Sequence, residues 1–290
     1  MQSARTFVGV ALPFIVVFVS ACSLFTSLDG LTTPVTESPL DESDAAEPSQ
    51  ADATTADAAN ETGASDADAP SWCATHRGDA GFCEDFDESE VLPFGSIVET
   101  HGKIRRDDIT SSSPRFSLAA SADALVDAGQ VETYVGYTAP KVDAVIAEVT
   151  VDVRLDLATD GTFSDQQFLK VNVAKDGKQW QVGVGAAGSA KRLFVFQYDV
   201  TANKYSQPFT PATSVPIGQW FTLGLKLTIT EAGKAVVDTT FNGAPWASSV
   251  ALTPPMANGQ MTGMFGITYA PGGTHPAFAN HVDNVVFDVR

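Results

Sequence analysis

From Val145 to Leu157 the odd positions read Val, Ala, Val, Val, Val, Leu and Leu, while the even positions carry Ile146, Glu148, Thr150, Asp152, Arg154 and Asp156. A β-strand turns successive side chains to opposite faces, so this alternation predicts a strand with one face buried and the other in water. The pattern recurs. Leu169, Val171 and Val173 alternate with Phe168, Lys170 and Asn172, Asp176-Gly177 supplies a hairpin turn, and Trp180, Val182 and Val184 alternate with Gln181, Gly183 and Gly185. A turn at Gly188-Ser189 leads into a third strand over 193–200, which makes a meander. Phe221, Leu223, Leu225, Leu227 and Ile229 form another alternating run, followed by 235–241, an Asn242-Gly243 turn, and strands near 264–269 and 282–289. No long apolar stripe recurs at helical spacing. The expectation is an all-β, antiparallel domain of roughly a dozen strands in two packed sheets, too many for a small barrel.

The folded part is expected over 71–290, because the preceding residues have a different character. Residues 1–21 form a leader with one positive charge, Arg5, and an apolar run of roughly 14 residues from Thr6 to Val19. That run falls short of the ~20 residues a membrane helix needs, and Pro13 interrupts it. The stretch Val19-Ser20-Ala21-Cys22 resembles the bacterial lipobox. That resemblance implies cleavage before Cys22 and acylation of its thiol and new amino terminus. Each buried methylene of such chains contributes about 0.8 kcal/mol. With Ser23 next, the implied location is the outer membrane, held through the lipid alone. The alternative is an ordinary secretory peptide in which Cys22 is incidental.

Residues 22–70 hold that cysteine and a segment rich in Ala, Asp, Glu, Ser, Thr and Pro with eleven carboxylates and no Lys or Arg. Such a composition cannot bury enough apolar surface to offset chain entropy, so a disordered acidic tether is expected, with a span of about 35 to 40 Å or more. Much of the chain's net charge of −18 lies there. Residues 71–290 carry 16 basic and 24 acidic residues, a net −8, which argues against nucleic acid or anionic lipid as a partner. Once Cys22 is set aside, Cys73 and Cys83 are the two remaining cysteines of an exported domain, and a disulfide is expected. The competing reading, Cys73, His76 and Cys83 as metal ligands, lacks a fourth ligand.

Three short stretches, Phe82-Cys83-Glu84-Asp85-Phe86-Asp87, Gly218-Gln219-Trp220 and Val282-Asp283-Asn284-Val285, are similar to parts of the concanavalin A-like family of LamG, lectin and glucanase domains. The resemblance runs from about residue 80 to 290 and implies a jelly-roll sandwich. It also implies one structural calcium between the first and last strands, held by Asp283 with Glu84 and Asp85 from the other end of the domain.

Catalytic signatures are missing. Glycosidases of this fold need two carboxylates flanking the scissile bond. The nearest stretch, Glu148 to Arg154, has the wrong spacing, with Glu148 and Asp152 about 13 Å apart along one strand. No HExxH, GxSxG or phosphate-loop motif occurs. A lyase needs a base and a group that neutralises a carboxylate, and Arg154, Lys170, Gln181 and Tyr198 have that chemistry without a motif. The expectation is therefore a non-catalytic envelope lipoprotein whose jelly roll binds carbohydrate. Its polar strand face would comprise Glu148, Asp152, Arg154, Lys170, Asn172 and Gln181, with Phe168 as stacking ring and Trp246 exposed in a loop. A structural or protein-binding lipoprotein, with an envelope protein as partner, is the rival reading. A polysaccharide lyase or glycoside hydrolase comes third.

Overall fold

The computed structural model describes residues 70–77, 81–87, 91–158, 165–188, 190–230 and 232–290. The leader, Cys22 and the tether up to 69 lie outside the described residues, so those expectations stay where the sequence leaves them. One short helix, α1 (Trp72–His76), precedes the strands β1 (Phe82–Glu84), β2 (Ser96–Thr100), β3 (Gly102–Asp107), β4 (Ser117–Ala122), β5 (Leu125–Ala128) and β6 (Val131–Thr138). The middle of the domain is β7 (Ile146–Leu155), β8 (Gln166–Lys175), β9 (Lys178–Ala187), β10 (Arg192–Asp199) and β11 (Lys204–Phe209). It ends with β12 (Trp220–Ile229), β13 (Ala235–Phe241), β14 (Ala244–Leu252), β15 (Gln260–Ala270), β16 (Gly273–His275) and β17 (Phe278–Val289).

These strands make the expected two-sheet antiparallel sandwich. One sheet runs β14-β13-β12-β7-β17-β4-β3, with β1 also paired to β17, and the other runs β11-β10-β9-β8-β15-β6-β2. A small β16–β5 pair stands apart. The alternation read from sequence decides what lies between the sheets. Val149, Val151, Val153 and Leu155 of β7 and Leu223, Leu225 and Leu227 of β12 meet Leu169, Val171 and Val173 of β8 and Val182 and Val184 of β9, all buried in one core. Burying each such side chain contributes roughly 1.5–3 kcal/mol. Asp176-Gly177 and Asn242-Gly243 have positive φ at both positions, 48° and 74°, and 49° and 76°, as two-residue hairpin turns require.

Two features shape the seven-stranded sheet. On β9, Gly183 and Gly185 face β10. A Cβ on Gly183 would sit 2.0 Å from the Leu169 carbonyl oxygen and 2.8 Å from the Phe196 ring, and one on Gly185 would sit 2.5 Å from the Phe194 ring. The glycines thus leave a trough in which two phenylalanine rings lie against the sheet. The second feature is a register shift between Gln167 and Leu169 in the β8–β9 ladder. It places both Phe168 and Leu169 in the core, with Phe168 edge-on to Phe221 at 6.5 Å. Phe168 is therefore an interlayer side chain, which corrects its expected role as a stacking ring for sugar. Strict alternation across 167–173 fails because the bulge adds a residue.

The Cys73–Cys83 disulfide is present and ties α1 to β1. Asp85 strengthens the joint by accepting the Cys73 N–H at 2.9 Å. Because β1 pairs with β17, with Cys83 opposite Val286, this start of the domain is fastened to its last strand. Replacing both cysteines by alanine should lower stability by about 2–3 kcal/mol, read by denaturant unfolding under oxidising conditions. Gly183→Ala should cost about 1–3 kcal/mol through overpacking against Leu169 and Phe196, measured in the same way, whereas alanine at the solvent-facing Gly129 should cost far less.

Candidate active site

The polar residues expected to share one face do not. β7 and β8 follow each other in sequence but belong to different sheets. Glu148, Asp152 and Arg154 lie on the outer side of the eight-stranded sheet, whereas Lys170, Asn172 and Gln181 lie on the outer side of the other. Alternation specifies which residues point away from the core, and it carries no information about which sheet they leave. The single sugar-binding face is thus corrected to two faces on opposite sides of the sandwich.

The eight-stranded side spends its charges internally. Glu148 pairs with Lys226 at 2.6 Å and with Arg290, and the Lys226 hydrogen bond above all holds its pKa below the usual range. Asp152 accepts hydrogen bonds from the Ser112 and Thr222 hydroxyls and the Asn284 amide, at 2.8, 2.5 and 2.8 Å. Arg154 Nε reaches Asp156 at 2.9 Å, and Asp156 also meets His281 at 3.1 Å, whose other ring nitrogen faces Asp107 at 3.2 Å. Burial alone would raise the Asp156 pKa, but the hydrogen bonds from His281 and Arg154 outweigh it and the pKa is lowered.

The residues proposed for calcium are similarly occupied. The buried Asp283 accepts N–H groups of Ser112, Ser113 and Asn284 at 2.9, 3.0 and 2.8 Å, and burial lifts its pKa to about 7 in spite of them. Glu84 accepts the Phe86 N–H, and Asp85 those of Cys73 and Asp87. The pairing of β1 with β17 does bring the two ends together, as expected. However, lone pairs directed at N–H donors are not offered to a cation, and among the described residues no three potential ligands gather in one place. These residues do not fit a shared calcium ion.

Trp246 is part of β14, not of an exposed loop. Its ring meets Phe209 edge-on at 5.7 Å and its Nε1–H donates to the Thr213 hydroxyl at 3.0 Å, so it ties a sheet edge to the neighbouring loop.

The seven-stranded side carries a cleft of about 650 Å³. Its floor is built by registration: Gln181 lies opposite Tyr198, and Tyr198 opposite Tyr205, so one cross-strand row carries an amide and two phenols over β9, β10 and β11. Asn172 continues the row on β8 but is not part of the lining. Phe194, laid over Gly185, adds a ring to the cleft. Lys170 enters from β8. It is only 4% exposed, its ammonium donates to the Thr268 carbonyl at 3.1 Å, and it lies 5.9 Å from the centre of the Tyr134 ring. Burial draws its pKa down to about 8, opposed by the charge of Glu132. Tyr205 behaves oppositely: burial raises its pKa, so the hydroxyl stays protonated, and it accepts a hydrogen bond from Gln207 at 3.0 Å. Lys170, Gln181 and Tyr198, three of the four residues with lyase chemistry, line this cleft, and Arg154 does not.

Sequence reasoning does not find Tyr205, Gln207, Tyr269 and Glu132. β11 hides its strand character because Pro208 interrupts it, a tolerable residue only because β11 is an edge. The repeat Phe194, Phe196, Tyr198 is the signal that a second aromatic face exists on β10.

No family model matches the chain, and no curated protein matches it in sequence. Solved structures do match in fold. The endo-β-1,4-glucuronan lyase of the fungus Trichoderma reesei superposes with a TM-score of 0.58 at 11% identity, covering 73% of this chain and 96% of the lyase. A cellulose-induced protein, Cip1, superposes with a TM-score of 0.51 at 14% identity, covering 71% and 96%. The expectation of a non-catalytic module is corrected by the first of these. It rested on the lack of a catalytic motif, and a solved enzyme shares this architecture over 96% of its length, so that lack does not decide against catalysis. The jelly-roll sandwich is the fold of this chain.

Proposed function

We propose that the protein is a polysaccharide lyase that breaks a glycosidic bond next to a uronate by β-elimination. The observation that carries this reading is Lys170, a buried amine with a pKa near 8 in a cleft that also holds the Gln181 amide and the Tyr205 hydroxyl. The fold match to a glucuronan lyase supports it.

Each residue type answers one requirement of the reaction. The Gln181 amide donates to the uronate carboxylate and takes up charge as C5 becomes acidic. Neutral Lys170 removes the C5 proton, and low solvation is what makes an amine available for that task near neutral pH. The C4–C5 double bond forms as the C4–O4 bond breaks, and Tyr205 gives its proton to the departing O4. No water is consumed, and the products are a new non-reducing end with an unsaturated uronate and a free hydroxyl on the other chain. The leader-like residues 1–21 and Cys22 support export and lipid anchoring of this activity at the cell envelope.

The test is an ultraviolet assay for the unsaturated product on a panel of uronate-containing polysaccharides. Activity should rise with pH through about 8 as Lys170 loses its proton. Lys170→Met should remove at least about 10²-fold of kcat/KM, and Tyr205→Phe a comparable factor. Absence of unsaturated product across the panel would overturn the reading.

Lys170→Met should also stabilise the fold at neutral pH. The folded-state pKa lies below the ordinary 10.5, so the native protein holds its proton less tightly than the unfolded chain. The penalty of the buried charge is full at and below neutral pH and disappears as the pH rises from about 8 to 10.5. The melting-temperature gain of the variant should shrink over that interval.

A further inference from the structure

The lining of the cleft bears on the kind of polymer it accepts. Among the described residues it contains one cation, Lys170, against two carboxylates, Glu132 and Asp165, and five glutamines. The domain residues that the structure does not describe, 78–80, 88–90, 159–164, 189 and 231, include no lysine or arginine, so they add no positive charge. The surrounding domain is itself net negative, 24 acidic against 16 basic residues.

A homopolymer of uronate brings one carboxylate per sugar. Each would need a cation or a cluster of N–H donors to offset its desolvation, and a cleft for such a chain should focus positive potential along its length. This one carries two carboxylates against a single amine. Glu132 is near enough to Lys170 to act on its charge, and Asp165 is near enough to act on Tyr205. Glutamine side chains, by contrast, carry both donors and acceptors and suit hydroxyl groups of uncharged sugars. Gln166 is the exception: it is 2% exposed and its side-chain carbonyl accepts from Asn280 of β17 at 2.6 Å, so its amide is directed to the opposite sheet.

Resting on the lyase reading, we infer that the substrate is a heteropolysaccharide in which single uronates are flanked by neutral sugars, and not a polyuronate. The central site takes the one carboxylate at the Gln181 amide, with C5 of that sugar at Lys170. The neighbouring positions, lined by glutamines with Glu132 and Asp165, take neutral pyranoses and repel a second carboxylate.

The test uses the full chain carrying Tyr205→Phe, which slows turnover and leaves every charge in place. Its binding is followed by affinity electrophoresis in gels containing polyglucuronate, polymannuronate, or a polymer with one glucuronate per otherwise neutral repeat. The mixed polymer should bind at least about tenfold more tightly than either polyuronate, with little dependence on salt because few ion pairs form. Glu132→Gln should raise polyuronate affinity by about three- to tenfold and so narrow the preference for the mixed polymer. Asp165→Asn should do the same, although Asp165 also holds the Gly188 N–H, so Glu132→Gln is the decisive variant. Polyuronate binding as tight as the mixed polymer, or no retardation by any polymer, overturns the inference. Preferred binding and cleavage of polyuronate overturns it while leaving the lyase reading intact. Preferred binding of the mixed polymer without unsaturated product from the wild type supports the inference and removes the lyase reading.

Discussion

The apolar layer between the two sheets is the interaction on which the rest depends. It is supplied by one face of each strand, so it dictates that every strand of β7 to β10 and β12 sends its remaining side chains outward. A sandwich filled in this way has two outer faces with no packing role, and the chemistry available to each depends on what its polar groups find nearby. In this protein the two faces solve that problem differently. On the eight-stranded sheet, carboxylates meet lysine, arginine, histidine and backbone N–H groups, and the ion pairs fasten the 107–113 loop and the carboxyl-terminal strand. On the seven-stranded sheet, an amine is buried against a carbonyl and an aromatic ring, with the charge of Glu132 acting on it.

That contrast is energetic as well as geometric. A charge removed from water without a counterion in contact is costly, and the usual resolution is a shifted pKa. Stability is thus given up at Lys170, whereas on the opposite side Glu148 and Asp156 are held by cationic partners that favour their charged forms. Sites where a residue is held in an unfavourable protonation state are where reactivity tends to concentrate. The phenylalanine rings bedded over Gly183 and Gly185 serve the same end, since a floor without side-chain bulk from β9 lets β10 supply aromatic surface to the cleft.

The fold is largely legible in the sequence. Alternation locates β7, β8, β9, β10, β12 and β13, the Asp-Gly and Asn-Gly pairs locate two hairpins, and cysteine pairing locates the disulfide. The site is legible only in part. Lys170, Gln181 and Tyr198 can be named for their chemistry, yet Lys170 and Gln181 group with Glu148, Asp152 and Arg154 because period-two patterning is blind to the crossover between β7 and β8. Phe168 is misassigned because a bulge is a change of count that no hydrophobic pattern announces. Tyr205 and Tyr269 come from strands far apart in the chain, 204–209 and 260–270, and only sheet order brings them to one place.

The position of β15 and β17 within the sheets sets the order of events during synthesis. Both are among the last strands made, and both are central. Without β17 the eight-stranded sheet separates into β14-β13-β12-β7 and β4-β3, and without β15 the other separates into β11-β10-β9-β8 and β6-β2. The edges of these partial sheets therefore stay unpaired until residues 260–289 are in place, and neither layer can close before then.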